Sequence, residues 1–306
     1  MKFSIYQESR LGQRALNQDR TAYCYSRDAL LMIVADGMGG IPNGDMAAQV
    51  ATQTFVQRFQ RMAQPVLDDP QHFLVQTMRM AHYNIVEQAR AKQFSPIPCT
   101  TIVVCLVQHG TAYWAHAGDS RLYLLRRRRI ARRTHDHSRV QQLLSRGLIT
   151  PEEAAVHPDR NRVLCCLGGP LLPNPEFSKP HPLRDNDRLL LCSDGLWGPL
   201  GNARILTLLG DTQKDLNSIV PDMLTQAEVR GGKTCDNVSL VAMHWRDEST
   251  ATLEEHTILT QNMGSSYFTA MHGDTGMRQG ELIHFTDDEI ERTIAEINQS
   301  IRKFNK

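Results

Sequence analysis

The feature that most constrains this chain is Leu31-Met32-Ile33-Val34-Ala35-Asp36-Gly37-Met38-Gly39-Gly40, an unbroken apolar run that ends on a carboxylate and breaks into a glycine-rich turn. A run this short, bounded by glycine, reads as a fully buried strand. Its terminal Asp36 carries a charge to the rim of a core, where a lone carboxylate is costly and a metal ion is the simplest partner. The pattern returns at Leu189-Leu190-Leu191-Cys192-Ser193-Asp194-Gly195. Two apolar strands that each end in Asp-Gly aim at one site.

The rest of the chain fits around these two strands. Helical spacing predicts helices over 46–62 and 67–92, the first with Ala47, Val50, Ala51, Phe55 and Phe59 on one face. Further strands are expected at 3–9, 21–26, 99–107, 111–117, 121–125 and 238–245, and further helix at 206–209 and 216–228. Residues 135–168 read as mostly polar and helical. Helices and strands come in blocks, which favours an α+β fold of antiparallel sheets with helices outside over a doubly wound parallel sheet.

Composition excludes several functions. The formal net charge is +1, so the whole chain argues for neither nucleic acid nor a membrane surface as partner. The charge is uneven: residues 247–306 hold 11 acidic and 5 basic side chains, a net of −6 that leaves +7 on the remainder. No run approaches the length of a membrane span, and no apolar segment of signal type opens the sequence. The seven cysteines form no Cys-x-x-Cys pair and sit mostly in apolar runs. They read as reduced thiols in the cytoplasm.

Four aspartates stand beside Gly, Ser or Asn at strand ends or turns: Asp36, Asp119, Asp194 and Asp236. An oxygen-rich set with no histidine cluster suits Mg²⁺ or Mn²⁺. Two such ions can clamp a phosphate for in-line attack, and Arg14 offers a fork for two phosphate oxygens. For Asp119 taken alone, a plain turn-forming role competes. The glycines from Gly37 to Gly44 lack the Gly-Lys-Ser/Thr ending of a P-loop.

In chain order the motifs are Arg14-x-x-Asn17-Gln18-Asp19, Val34-Ala35-Asp36-Gly37-Met38-Gly39-Gly40, Gly118-Asp119-Ser120-Arg121, Asp136-His137-Ser138-x-Val140, Ser193-Asp194-Gly195-Leu196 and Asp236-Asn237-Val238-Ser239. Each is weak alone; six in this order are specific. From about residue 4 to 245 the chain resembles the metal-dependent serine/threonine protein phosphatases of type 2C, in their bacterial branch. The resemblance implies a four-layer α-β-β-α sandwich of two antiparallel sheets flanked by helices. It places a catalytic domain at 1–246, a flap beside the active site at about 135–168, and an acidic extension at 247–306.

The resemblance also implies residue roles. Asp36 would bridge two metals, with the Gly37 carbonyl on one and Asp194 and Asp236 on the other. Asp19 would hold metal-bound water, and Asp119 would bind a third ion together with Asp194. Arg14 would bind the phosphate. The implied reaction is hydrolysis of phosphoserine or phosphothreonine in proteins by a hydroxide bridging two, or three, Mg²⁺ or Mn²⁺ ions. The partners would be phosphoproteins, targets of a cognate kinase, and the enzyme a monomer. Gln18 stands where many relatives have Glu; Met38, common in bacterial relatives, stands where eukaryotic ones have a His and offers no proton to the leaving group. A catalytically weak relative that binds phosphoproteins, with the tail as a docking element, is the alternative.

Three features remain beside the motifs. Arg126, Arg127, Arg128, Arg129, Arg132 and Arg133 read as a solvated hairpin tip, with steering of acidic substrates to the flap as the functional alternative. His116, His135 and His137 read as packing or hydrogen-bonding residues. The spacing of Ile290, Ile294, Ile297, Ile301 and Phe304 predicts an amphipathic helix over 287–304, folded back or docking a partner.

Overall fold

In the computed structural model the two aspartate-terminated runs become central strands of two different sheets, stacked face to face. The structure describes residues 1–38, 42–211, 214–246, 258–259 and 268–272. The helix expected at 287–304 lies outside the described residues.

The elements run β1 (Lys2–Arg10), β2 (Asp19–Tyr25), β3 (Ala29–Gly37), α1 (Gly44–Met62), α2 (Pro70–Ala91), β4 (Cys99–Gln108), β5 (Thr111–Ala117), β6 (Arg121–Arg126) and β7 (Arg129–Arg133). They continue with α3 (Arg139–Ser145), α4 (Pro151–Val156), β8 (Leu167–Gly168), β9 (Glu176–Phe177), β10 (His181–Pro182) and β11 (Arg188–Cys192). Last come α5 (Asp194–Leu209), α6 (Leu216–Gly231), β12 (Val238–Arg246), β13 (Ile258–Leu259) and β14 (Phe268–His272). One sheet has the order β13-β1-β12-β11-β6-β7 and the other β10-β5-β4-β3-β2-β14. Strand pairing among the described residues is antiparallel throughout, as in the pairs β2–β3 and β11–β12.

The side-chain period of two explains why β3 and β11 are apolar throughout. Leu30, Met32 and Val34 of β3 meet Leu189 and Leu191 of β11 in the core between the sheets, with Phe3, Val103 and Met243. Leu31, Ile33 and Ala35 are equally buried on the opposite face of β3, where α1 packs. Leu190 and Cys192 face the layer of α5 and α6, among Leu196, Ile219, Val220 and Leu224. The result is the expected four-layer sandwich. Each large apolar side chain buried in it contributes about 1.5–3 kcal/mol.

Local signals set the borders. Asp69 caps α2 by accepting from the N–H groups of Gln71 and His72, and Pro70 takes the first turn. The helix therefore starts at Pro70, three residues later than its apolar stripe suggests. Residues 135–168 are less helical than expected. They carry only α3 and α4 and are tied at the base, where Arg139 N–H donates to Arg162 O (2.9 Å) and Leu164 N–H to His137 O (2.7 Å). Val140 alone is buried in α3, too little apolar surface for a long helix.

The first compact unit runs from Met1 to Asp274 and the second from Thr275 to Lys306. The extension supplies edge strands to both sheets: β13 pairs with β1 and β14 with β2. Phe268 stacks on Tyr23 and Tyr25 with ring centroids 5.8 and 5.3 Å away, and Thr269 accepts from Gln60 Nε2 at 2.8 Å. Among the described residues no helix is long and apolar enough to cross a membrane.

Candidate active site

The parity that buries Met32 and Val34 between the sheets continues to Asp36, so this carboxylate faces the same gap at the end of the sandwich. Its direct cross-strand neighbour on β2 is Asp19. Residues opposite one another in an antiparallel pair share a face, and like charges there repel. Thr100 Oγ1 donates to Asp36 O (2.8 Å), which fixes the strand end. Asp19 is 1% exposed. It accepts from Ser193 Oγ at 2.8 Å, and Ser193 is the residue just before α5, so Asp194 at the start of that helix enters the same space.

Asp194 approaches Asp236 through a glycine. A Cβ on Gly195 would lie 2.0 Å from Asn237 O, so α5 can abut the start of β12 only without a side chain there. Gly195→Ala is expected to push the two elements apart and cost about 1–3 kcal/mol of stability. Thermal unfolding should register the loss. Asn237 ties in the loop that bears Arg14: its Nδ2 donates to Leu11 O (2.9 Å) and Leu16 O (3.1 Å), and its Oδ1 accepts from Gln18 N–H (2.9 Å).

Arg14 holds Asp236 in a two-pronged pair, Nε to Oδ1 at 2.8 Å and Nη2 to Oδ2 at 2.7 Å. Its side chain remains 53% exposed and that of Asp236 38%. Asp236 is thus a half-exposed carboxylate already engaged by a guanidinium. It sits at the cleft mouth with an arginine beside it.

Asp119 is delivered by a different device. Gly118 takes φ +111° and packs so closely on Thr101 that a Cβ would meet it at 2.5 Å. Trp197 Nε1 donates to Asp119 O (2.9 Å). The guanidinium of Arg121 lies 3.4 Å over the Trp197 ring and grips Asp136 through two bonds of 2.7 and 2.6 Å. Sequence reasoning gave no role to Ser193, Trp197, Asn237 or the Arg121–Asp136 pair. All but Trp197 stand in the quoted motifs, which was the available signal.

The electrostatics follow from this crowding. Burial, then Asp19, Asp194 and Asp119, hold the Asp36 carboxyl well above the usual carboxylate range. Burial and Asp194 do the same to Asp119. Burial pushes Asp19 up to about 7 against the opposing hydrogen bonds from Ser239 and Ser193. Asp194 rises to about 6 through burial and Asp236, although it shares a hydrogen bond with Asp36. A wall of oxygen donors whose ionised forms repel one another fits hard divalent cations.

A second group lies at the flap base. Ligand-capable atoms of His116, His137 and Glu176 are within 4.8 Å of one another. The two imidazoles stack at 4.4 Å with a 21° tilt, so their in-plane lone pairs run side by side and do not meet at one point. His137 N–H donates to Gly118 O (2.9 Å), and His116 Nε2 pairs with His135 O (2.8 Å). The backbones of His135 and His137 and the His116 ring thereby join the flap base to the loop of Asp119, where Gly118 N–H also donates to His137 Nδ1 (3.4 Å).

Comparison with known proteins decides the family. The family model for protein phosphatase 2C matches residues 6–231. This chain belongs to the protein phosphatase 2C family. It is 31% identical over 250 residues to a putative protein phosphatase 2C-type of Streptococcus pyogenes, covering 81% of this chain and 99% of that protein. A solved serine/threonine phosphatase of S. agalactiae superposes with TM-score 0.72 at 29% identity, over 80% of this chain and 100% of that one. The catalytic domain of the phosphatase PstP, solved with two manganese ions, gives TM-score 0.63 at 28% identity, over 80% and 99%.

Proposed function

We propose that this member of a metal-dependent protein phosphatase family removes phosphate from phosphoserine and phosphothreonine of proteins, with two Mg²⁺ or Mn²⁺ ions held by the aspartates at the end of the sandwich. The observation that supports it is the convergence of Asp19, Asp36, Asp119 and Asp194 in one cleft that Arg14 and Asp236 close at the mouth. Asp36, Gly37, Asp194 and Asp236 would hold the ions, Asp19 their water, and Asp119 with Asp194 a third ion. Bound divalent ions supply a nucleophilic water at neutral pH and offset charge on the phosphoryl group.

The chain's own residues do the rest. Ser193 and the paired strand orient Asp19 and Asp36. The bond to Asp236 uses Arg14 Nε and Nη2 and leaves Nη1 outside that pair, so the fork can add a phosphate oxygen. Met38 carries a thioether that cannot donate a proton, so the proton for the leaving group comes from a source other than Met38, with bound water the candidate. The free cysteines suit a reducing cytoplasm, and the substrates would be those of a cognate kinase.

Hydrolysis of a phosphothreonine peptide with Mn²⁺ or Mg²⁺, abolished by EDTA, tests the reading. Arg14→Ala should lower kcat/KM by about 10- to 100-fold, the loss of one charge-assisted contact. No metal-dependent turnover in the parent would sink the proposal.

A further inference from the structure

The tip of the six-arginine cluster points away from the flap, while Arg132 and Arg133, at the end of β7, lead into it. The turn Arg127-Arg128 joins β6 to β7 at the end of the ribbon opposite the flap base, with Arg126 paired to Arg129. Along β6 this is about 20 Å from Asp119. The tip residues Arg126 to Arg129 are therefore not placed to steer substrates directly onto the flap.

Both turn residues have left-handed backbones, Arg127 at φ 49° and Arg128 at φ 59°. A two-residue hairpin of this kind favours Asn-Gly, and long side chains there are strained. Around the turn are a groove of about 370 Å³ and a neighbouring one of about 550 Å³. Arg126, Arg127 and Arg184 line both.

Two of the arginines are built into the wall. Arg126 clasps Asp187 at 2.8 and 2.6 Å and donates to Pro182 O. Arg188 donates to Leu209 O, Asp211 O and Lys214 O. Arg127, Arg128, Arg129 and Arg184 are exposed, and among the described residues no carboxylate is paired with them. The field reaches His181, where Arg132 and Arg126 add to burial in holding the imidazole below its usual range.

We propose that this groove is a docking site for an acidic segment of the phosphoprotein substrate, remote from the phosphorylated residue. The occupant follows from charge and lining. Guanidinium forks match carboxylates two by two. Leu125, Ile130, Ala131 and Leu209 give aliphatic walls, and no aromatic ring lines either groove for stacking on nucleic-acid bases. The strained turn then has a reason, since it projects two guanidiniums where the easier residues would project none. The proposal rests on the phosphatase reading above for its partner, and its test separates the two.

The variant Arg127→Asn/Arg128→Gly/Arg129→Gln/Arg184→Gln puts favourable turn residues at the hairpin and should melt no lower than the parent. Three probes are compared at about 50 mM salt, where charge contacts are weakly screened. These are p-nitrophenyl phosphate, a phosphothreonine peptide joined by a flexible linker of about twelve residues to a hexaglutamate run, and the same peptide with hexaglutamine. The parent should prefer the glutamate peptide by about tenfold or more in KM, and the variant should lose that preference with kcat and p-nitrophenyl phosphate turnover unchanged.

Fluorescence anisotropy of an unphosphorylated hexaglutamate peptide reads the docking without catalysis. Loss of its binding in the variant supports the groove even if turnover is absent. Equal binding by parent and variant overturns it, whatever the turnover. Weaker binding of a single-stranded oligonucleotide by the variant, with peptide binding unaltered, overturns the acidic-peptide occupant.

Discussion

Asp36→Asn is expected to cut phosphopeptide turnover by about a thousandfold or more, the several kcal/mol that metal-held charge supplies to a phosphoryl-transfer transition state. Asparagine keeps the size of the side chain and one carbonyl oxygen but removes the negative charge. Asp36 is the position where the loss should be largest. It faces Asp19 across the strands and is raised by Asp194, Asp119 and Asp236 as well, so it is central to the oxygen wall. The same substitution removes a carboxyl whose ionisation its neighbours oppose. The metal-free variant should therefore melt higher than the metal-free parent, by an amount on the order of 1–3 kcal/mol. Opposite signs for activity and metal-free stability distinguish a cation-binding carboxylate from a structural one. Steady-state kinetics and thermal unfolding in EDTA make the comparison. A variant that turns over within tenfold of the parent, or that melts lower without metal, would exclude Asp36 from the role assigned to it.

How much of this was legible in the sequence varied with how local the cause was. The strands around Met32 and Leu190 were legible because each is covered on both faces and therefore apolar throughout. The first half of α5 was not, since Gly195, Gly198, Pro199 and Gly201 interrupt any helical pattern, and Gly201 indeed leaves the helix at φ 66°. Strands β13 and β14 were not legible either. They are short and take their place by pairing with β1 and β2, more than 240 residues away in the chain. At the site, Asp36 and Asp194 announced themselves by ending apolar runs. Asp119 did not, because its position depends on the backbone of Gly118 and the indole of Trp197. The Arg14–Asp236 pair spans 222 residues, and nothing local signals it. The motif resemblance supplied that pairing of regions and the four layers, while periodicity supplied the elements.

Removal of divalent ions should destabilise the protein, and the effect should grow with pH. A carboxyl whose folded pKa exceeds its unfolded value of about 3.9 binds a proton more tightly when folded. Its contribution is full below pH 4 and is lost as pH rises through the folded value, about 6 for Asp194 and about 7 for Asp19. Asp36 and Asp119, also raised, extend the loss upward. Buried histidines act in the other direction. Burial holds His82 and His137 down at about 4 and His244 at about 3. Their contribution is full above about pH 6.5 and is lost as pH falls through those values. Between pH 4 and 6.5 the two slopes oppose each other, so the metal-free protein should have a nearly level melting temperature there. Above pH 6.5 only the carboxylate slope remains and the melting temperature should fall. Divalent ions bind the ionised carboxylates and displace their protons, which removes that decline. Thermal unfolding with Mn²⁺ and with EDTA should therefore differ by several degrees at pH 8 and by clearly less at pH 5.5. Asp36→Asn should shrink the gap at pH 8. A gap of the same size at both pH values would mean that ion binding does not compete with protons, and the aspartate cleft would not be where the ions bind.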